Sequence, residues 1–474
     1  MQLFLSSDFN IRSLRKKPKS MAQKLKDLRD RLRAHNLTKI GRALEEFVPA
    51  TLFEKHRPKT ARRRIFSTEN TFWGFFLQVL QEDSSCQSIV HQFRISASQK
   101  STDVSASTSA YCQARKRLPS ALLSSVFEHT AKIKGMKHPL VKRRVICADG
   151  TGLLASDTVE NQDVWPQQAN QREGCAFPQL RLCALFNLHT GIALDYRLGN
   201  KRSHELPLLR EQEASFKKND IFIGDKGFIC FYDQARLLER GVDSIVALAK
   251  RKPVPDNKAD KRFGKDDILI TIPKFTSATA RSRYPQDRWD ELPKAIQMRQ
   301  IKVSFSVPGY RSTQIYLLTT LLDDIAYPAN VIAELYRQRW GVELYFRDLK
   351  TTLGMEFLKS KTPDMVEKEI QMFFIVFNII RHLMEEGKTA SGSDILAFKS
   401  CVQTVIAYCN DESFSSSLTP IKHKRLLLRE ISKCCLFQRP ERIEPRCVKR
   451  RPKPFKLMMK PRSELKREML AKYA

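Results

Sequence analysis

Residues 334–353 read ELYRQRWGVELYFRDLKTTL, a stretch that sets an acid among bases with helical spacing. Tyr336, Arg339, Glu343 and Lys350 follow one another at intervals of three, four and seven residues. At about 100° per residue, these four side chains fall within an arc of roughly 60° along about 21 Å of helix. One face of such a helix carries a phenol, two cations and a carboxylate. The plainer reading of the same residues is a solvated helix held by i,i+4 pairs among Arg339, Glu343 and Arg347.

Two lone aspartates upstream favour chemistry over solvation. Val145 to Ala148 is a short apolar run ending in Asp149-Gly150, and Ile221 to Ile223 is another ending in Gly224-Asp225. Short apolar runs bounded by glycine read as buried strands, so both carboxylates are expected where a central strand leaves its sheet. Two strand-end aspartates and a helix glutamate make a cluster of oxygen ligands suited to Mg²⁺. A pair of such ions clamps the attacking and leaving oxygens of a phosphoryl transfer.

The surrounding pattern supplies the sheet. Strands are expected at Val145–Ala148, Gln179–Asn187 and Ile192–Leu198, then a helix at His204–Phe216 and a strand at Asp220–Ile223. A helix at Tyr232–Arg240 and a strand at Ser244–Ala249 follow. Three strands, then helix, strand, helix, strand is the order of a ribonuclease H-like α/β fold. Residues from Lys250 to about Thr313 interrupt it with charge, proline and β-like pieces at Ile268–Ile272 and Ile301–Val307, before Ile315–Leu321 returns to the main sheet. Pro363 opens a further helix whose run Phe373–Ile380 is broken by Asn378 and falls far short of the ~20 apolar residues that span a bilayer. Upstream, helices are expected at Ala22–Arg33, Asn70–Gln81 and Ser84–Phe93, with the Ser/Thr-rich stretch Ser96–Ser109 as a linker.

A length of 474 residues allows two or three structural units. Lys plus Arg number 83 against 51 Asp plus Glu, a net charge of +32, so the expected partner is a polyanion, DNA or RNA before anionic lipid. The 11 cysteines are scattered, with no C-x-x-C pair, which argues against a zinc site or a disulfide framework and for reduced thiols. Met1 to Ser20 carries its cations late, the reverse of a secretion signal, and the expected location is the cytoplasm.

On these residues the chain resembles the DDE transposases of bacterial insertion sequences, in the insertion-sequence-four family with its Tyr-x₂-Arg-x₃-Glu-x₆-Lys signature. Tyr336, Arg339, Glu343 and Lys350 meet that signature in full; Asp149 in VICADGTG resembles the family's first acid and Asp225 in IFIGDKGF its second. YCQARKRLP at 111–119 and SHELPLLRE at 203–211 are similar to segments of one branch, and the likeness runs from about residue 105 to about 385.

The resemblance implies a ribonuclease H-like catalytic core over 106–362 with an inserted, mainly β subdomain at about 250–313. An N-terminal helical DNA-binding module (1–105) and a C-terminal helical and basic region (363–474) flank it. It further implies that Asp149, Asp225 and Glu343 are catalytic and hold Mg²⁺, with Mn²⁺ as substitute, while Arg339 and Lys350 grip phosphates and Tyr336 positions DNA. Trp289, inside the insertion, is the candidate for stacking on a flipped base; a core or surface place is the alternative. The implied partners are double-stranded DNA with terminal inverted repeats, target DNA and a second protomer. The implied reaction is cut-and-paste transposition through a hairpin. Two rivals remain: another Mg²⁺-dependent nuclease of the same fold, and a non-catalytic DNA-binding descendant. The long insertion and basic flanks stand against the first, the intact acids and signature against the second.

Overall fold

The structure, a computed structural model, describes residues 38–473 apart from 58–64, 82–84, 99–103, 133–135, 202, 249–252, 277–280, 283, 306–312, 393–394, 411–418 and 437–457. The expected helix Ala22–Arg33 and most of the basic tail from Arg439 lie outside the described residues.

The chain is mixed α/β, built on one large sheet. Its strands are β1 (Val145–Ala155), β2 (Gln179–Asn187), β3 (Ala193–Asn200), β4 (Ile221–Gly224), β5 (Asp243–Ala247), β6 (Lys261–Gly264), β7 (Asp267–Pro273), β8 (Ala295–Phe305), β9 (Thr313–Thr319) and β10 (Phe357–Leu358). They lie in the order β3-β2-β1-β4-β5-β9-β8-β7-β6, with β10 beside the far end of β1. β1, β2 and β3 form an antiparallel meander, and β4 and β5 run parallel to β1. The strands of the insertion continue this sheet, because β9 pairs antiparallel with β5 and β8 and β7 follow outward.

Continuous apolar runs such as Val145-Ile146-Cys147-Ala148 suit strands covered on both faces, and both faces are covered here. Val145, Cys147, Ile221, Ile223 and Ile245 face one apolar cluster, under helices α5 (Ala329–Gln338), α6 (Gly341–Arg347) and α7 (Pro363–Ser391). Ile146, Ala148, Phe222 and Val246 face the other, against α3 (Glu205–Arg210) and α4 (Phe231–Glu239). Helix α7 starts with Pro363 after extended Thr362 and stops at Gly392, whose φ of 66° lies in the left-handed region. It packs on α1 (Thr68–Leu80), α2 (Ser120–Thr130) and α8 (Pro420–Ile431), so the N-terminal core residues Phe72, Trp73 and Phe76 share the cluster of the sheet. Asn378, the polar break in the apolar run, is fully buried; its amide accepts from Ala193 N–H (2.8 Å) and donates to Ala193 C=O (2.9 Å), pinning edge strand β3 to the helix. Among the described residues no helix is long and apolar enough to cross a membrane, and the ten described cysteines are free.

The register that matters is set at the strand starts. Arg143 donates to Asn219 C=O (2.8 Å), Asp220 C=O (3.1 Å) and the Asp243 carboxylate (2.6 Å), tying the beginnings of β1, β4 and β5 together. Arg144 adds a bond from Nε to Asp220 Oδ1 at 2.9 Å. A slip of one residue would turn every side chain of β4 to the wrong face, so these contacts fix which β1 residue stands beside Asp225.

Candidate active site

β1 does not end at Ala148 as the apolar run suggests. Pairing with β2 continues from Ile146↔Asn187 to Leu154↔Gln179, and β10 adds Leu154↔Phe357, so Asp149 is a mid-strand residue. It is β4 that stops, at Gly224. The β1–β4 register runs Val145↔Ile221, Ile146↔Phe222, Cys147↔Ile223, and continuing it sets Asp149 level with Asp225 on the face shared by Cys147 and Ile223. Neighbouring strands stand about 4.8 Å apart, so the two carboxylates flank one opening.

Each aspartate commits one oxygen to the backbone. Asp149 Oδ1 accepts from Gly150 N–H at 2.8 Å, and Asp225 Oδ1 accepts from Gly227 N–H at 2.7 Å, capping the short 226–228 turn. Their other oxygens have no protein partner among the described residues. Burial pushes the Asp149 carboxyl up to about 6; the Gly150 N–H and Arg339 pull it down, and Glu205 and Asp225 push it further up.

The signature stretch is not one regular helix. α5 ends at Gln338 and α6 begins at Gly341, with Arg339 and Trp340 keeping right-handed backbone angles between them. Arg339 N–H bonds Tyr336 C=O and Glu343 N–H bonds Trp340 C=O, both three residues back, which tightens the turn; Asp348–Thr352 then widens into a π-helix. The four side chains differ in exposure. Tyr336 is 5 % and Arg339 9 % exposed, whereas Glu343 is exposed and Lys350 is half-buried, 3.3 Å from Glu356. No i,i+4 pair joins Glu343 to Arg339 or Arg347 among the described residues. The paired acids of the signature stretch are Glu334, held by Arg337 at 2.7 Å, and Asp348, held by Arg381 at 2.8 Å.

Arg339 points inward. Its guanidinium lies 5.5 Å from the Tyr336 ring, interacts electrostatically with Asp149 and Asp225, and leaves Nε without an acceptor. A buried, under-bonded cation beside two carboxylates is poised for an anion that the chain does not supply. Tyr336 is too buried to stack on DNA and instead covers Arg339.

Trp289 also takes the alternative place. It is 3 % exposed, packed 4.3 Å from Phe275 and 5.5 Å from Tyr284, with Lys274 Nζ 5.2 Å from its ring. No face is open to a base, because burial depends on the fold of the insertion, which a lone tryptophan in a charged stretch does not reveal.

Glu205, which no spacing rule singles out, stands at the start of α3 and interacts electrostatically with Asp149 and Asp225. A separate, large cleft lined by Lys142, Arg144, Lys217 and Lys218 opens at the opposite, N-terminal ends of β1 and β4 and includes neither aspartate.

The sequence family described as the transposase DDE domain matches residues 141–379, a span that contains Asp149, Asp225 and Glu343. The chain belongs to the DDE transposases of the insertion-sequence-four family. It is 25 % identical over 358 residues, 73 % of this chain and 76 % of the relative, to the transposase InsG for insertion sequence element IS4 of Escherichia coli (strain K12). Over 84 residues, 17 % of this chain and 22 % of the relative, it is 31 % identical to the transposase for insertion sequence element IS421 of Escherichia coli. The structure is similar to a piggyBac transposase synaptic complex with hairpin DNA at a TM-score of 0.43 and 11 % identity, over 86 % of this chain and 85 % of that one, a likeness too weak to place any residue.

This transposase is thus a DNA-cleaving, strand-transferring enzyme, and its family implies a divalent cation. The donor set fits one: two adjacent carboxylates, each with a free oxygen, are hard ligands for a hard ion. Among the described residues no three Asp, Glu, His or Cys side chains stand close enough to hold one ion, so Glu343 is not assembled with the aspartates in this structure.

Proposed function

We propose that the transposase moves an insertion sequence by cut-and-paste transposition on a ribonuclease H-like core, with Asp149, Asp225 and Glu343 as its catalytic acids. The observation that supports this reading is the β1–β4 register, which, continued one residue past the end of β4, brings Asp225 level with Asp149, with the buried Arg339 of the signature turn interacting electrostatically with both. Residues 106–362 form the catalytic domain with its β insertion at about 250–313; residues 1–105 recognise DNA, and 363–474 support the core and add basic surface. The cation is Mg²⁺, with Mn²⁺ as substitute.

Asp149 and Asp225 hold the cation through their free oxygens, and Glu343 joins them when DNA draws the 339–343 turn inward. A bound divalent cation supplies an activated water and neutralises charge on the phosphate oxygens. Arg339 donates to a phosphate oxygen beside the cut, which gives its unpartnered Nε an acceptor. Lys350, whose partner Glu356 is largely exposed, exchanges that contact for phosphate. Tyr336 keeps Arg339 aimed. The released 3′-hydroxyl then attacks the second strand, giving a hairpin, and later the target. Two protomers hold the two ends, the substrate is double-stranded DNA with terminal inverted repeats, and the work is done in the cytoplasm.

The test is incubation of the purified chain with its own element ends and Mg²⁺. Nicks, hairpins and joined products that vanish in EDTA and in Glu343→Gln, with end binding retained, support the proposal. Cutting without joining makes the protein a plain nuclease, and unchanged cleavage by Glu343→Gln removes that residue from the mechanism.

A further inference from the structure

We propose that two lysine-bearing turns at the starts of β1 and β4, residues 136–144 and 217–220, form a second DNA-holding surface. It grips the phosphate backbone of duplex DNA away from the reaction centre.

Charge decides the occupant. The cleft between these turns and helices α2 and α7 has a volume of about 1670 Å³, larger than the ~300–1,000 Å³ of small-molecule sites. Lys137, Lys142, Lys217 and Lys218 line it, are exposed, and have no ion-pair partner among the described residues. The other cations of the lining are engaged. Arg143 pairs with Asp243, Arg144 with Asp220 and Arg197 with Asp195, while Lys132 and Lys368 pair with Glu128 and Asp364 on the helical wall. Of the lining acids, Glu367 alone lacks an ion-pair partner among the described residues. Four uncommitted ammonium groups against one carboxylate make the strand-start wall a surface for a polyanion, and DNA is the polyanion on which a transposase acts.

The surface is rigidly built. Lys142 and Asn219, at φ of 52° and 69°, are the two non-glycine residues with left-handed backbone among the described residues, and both line this cleft. Such conformations persist only where the surroundings enforce them. Here Lys142 N–H bonds His138 C=O and Asn219 N–H bonds Gly241 C=O, both at 2.8 Å. Arg143 then donates to the carbonyls of Asn219 (2.8 Å) and Asp220 (3.1 Å), clipping one turn to the other. The stem of Lys218 lies across Gly241, where an added Cβ would stand 3.0 Å from Lys218 Cγ. Its ammonium is therefore carried outward from a supported stem.

Place separates this surface from the chemistry. Asp149 stands roughly 13 Å along β1 from Val145, at about 3.3 Å per residue, and Asp225 follows the C-terminal end of β4. The lysine turns stand at the opposite strand ends, and neither aspartate, nor Arg339, nor Glu343 lines the cleft. A DNA end held for cutting leaves the turns open to another stretch of duplex, gripped through phosphates and so without regard to sequence.

The experiment measures binding of the full-length chain to a duplex lacking the element's end sequence, by fluorescence anisotropy across a series of NaCl concentrations. Each phosphate contact contributes about 0.9 to the slope of log Kobs against log salt, so Lys137→Gln/Lys142→Gln and Lys217→Gln/Lys218→Gln are each expected to flatten it by about 1–2. The fourfold variant is expected to flatten it by about 2–4. Lys132→Gln/Lys433→Gln removes the same charge as either pair, from exposed lysines already paired with Glu128 and Glu430, and is expected to keep the wild-type slope. Circular dichroism and Mg²⁺-dependent cleavage of a short end duplex are expected to be retained in both double variants, which carry the test should the fourfold variant not fold. A wild-type slope in both double variants overturns the proposal. An equal fall in Lys132→Gln/Lys433→Gln ascribes the effect to net charge and also overturns it. Loss of end cleavage in step with the slope puts these lysines on the path of the cut end and overturns the claim of a second surface.

Discussion

Replacing Asp149 by Asn removes a charge from a half-buried site while keeping the oxygen that accepts from Gly150 N–H. The fold raises this carboxyl from 3.8 to about 6, chiefly by burial, so it favours the protonated form. A group raised in this way contributes stability that is intact below pH ~4 and is lost as pH rises through about 6. The difference corresponds to about 3 kcal/mol at pH 7 and above, an order-of-magnitude value at about 1.4 kcal/mol per factor of ten. In EDTA, Asp149→Asn is therefore expected to match wild type near pH 4 and to exceed it in urea midpoint at pH 8, with the gap opening between. Adding Mg²⁺ is expected to raise the wild-type midpoint and leave the variant where it was, because only the native wild type binds the ion. A variant less stable than wild type at pH 8 in EDTA would refute the reasoning: the charge at 149 would then be satisfied by the protein itself, with no call for a cation.

Arg339→Met removes the buried cation that faces Asp149 and Asp225 and is expected to lower strand cleavage on the order of a hundredfold; cleavage near wild type would take Arg339 out of the phosphate contact. Arg299 is fully buried, pairs with Asp267 and donates to Tyr327 C=O at 2.8 Å in the loop that leads into α5. Arg299→Met leaves that carboxylate buried without its cation and is expected to cost about 3–5 kcal/mol in urea denaturation, and a cost under about 1 kcal/mol would contradict the pairing. Trp289→Ala is expected to cost about 3–5 kcal/mol as a core cavity. The same tryptophan replaced by Phe is expected to keep cleavage and the fluorescence of a 2-aminopurine placed beside the cut, whereas loss of that fluorescence change would return Trp289 to the DNA.

Much of the sheet was legible because its signal is local. Val145–Ala148 and Ile221–Ile223 are apolar on both faces, which only a doubly covered strand tolerates, and β2 was read at its observed limits. The further run of β1 was hidden, since Asp149-Gly150 reads as a turn; pairing with β2 and β10, distant in sequence, overrides that signal. The break at Arg339 and Trp340 was hidden for the opposite reason. No proline interrupts the stretch, Gly341 is the one weak hint, and the backbone never leaves right-handed angles, so the change is from one helix pitch to another. Glu205 was invisible because its close approach to Gly150 is made by α3 packing across β1, and no interval along the chain encodes that.

The most direct measurement is anomalous scattering from Mn²⁺ in a crystal of the full-length transposase bound to its cleaved element end. The account requires density bridging free oxygens of Asp149 and Asp225, at roughly the 2.0–2.2 Å of a hard-cation bond, with Glu343 turned in from solvent to the same site. Mn²⁺ bound away from both aspartates, or Glu343 still facing solvent with DNA in place, would contradict it.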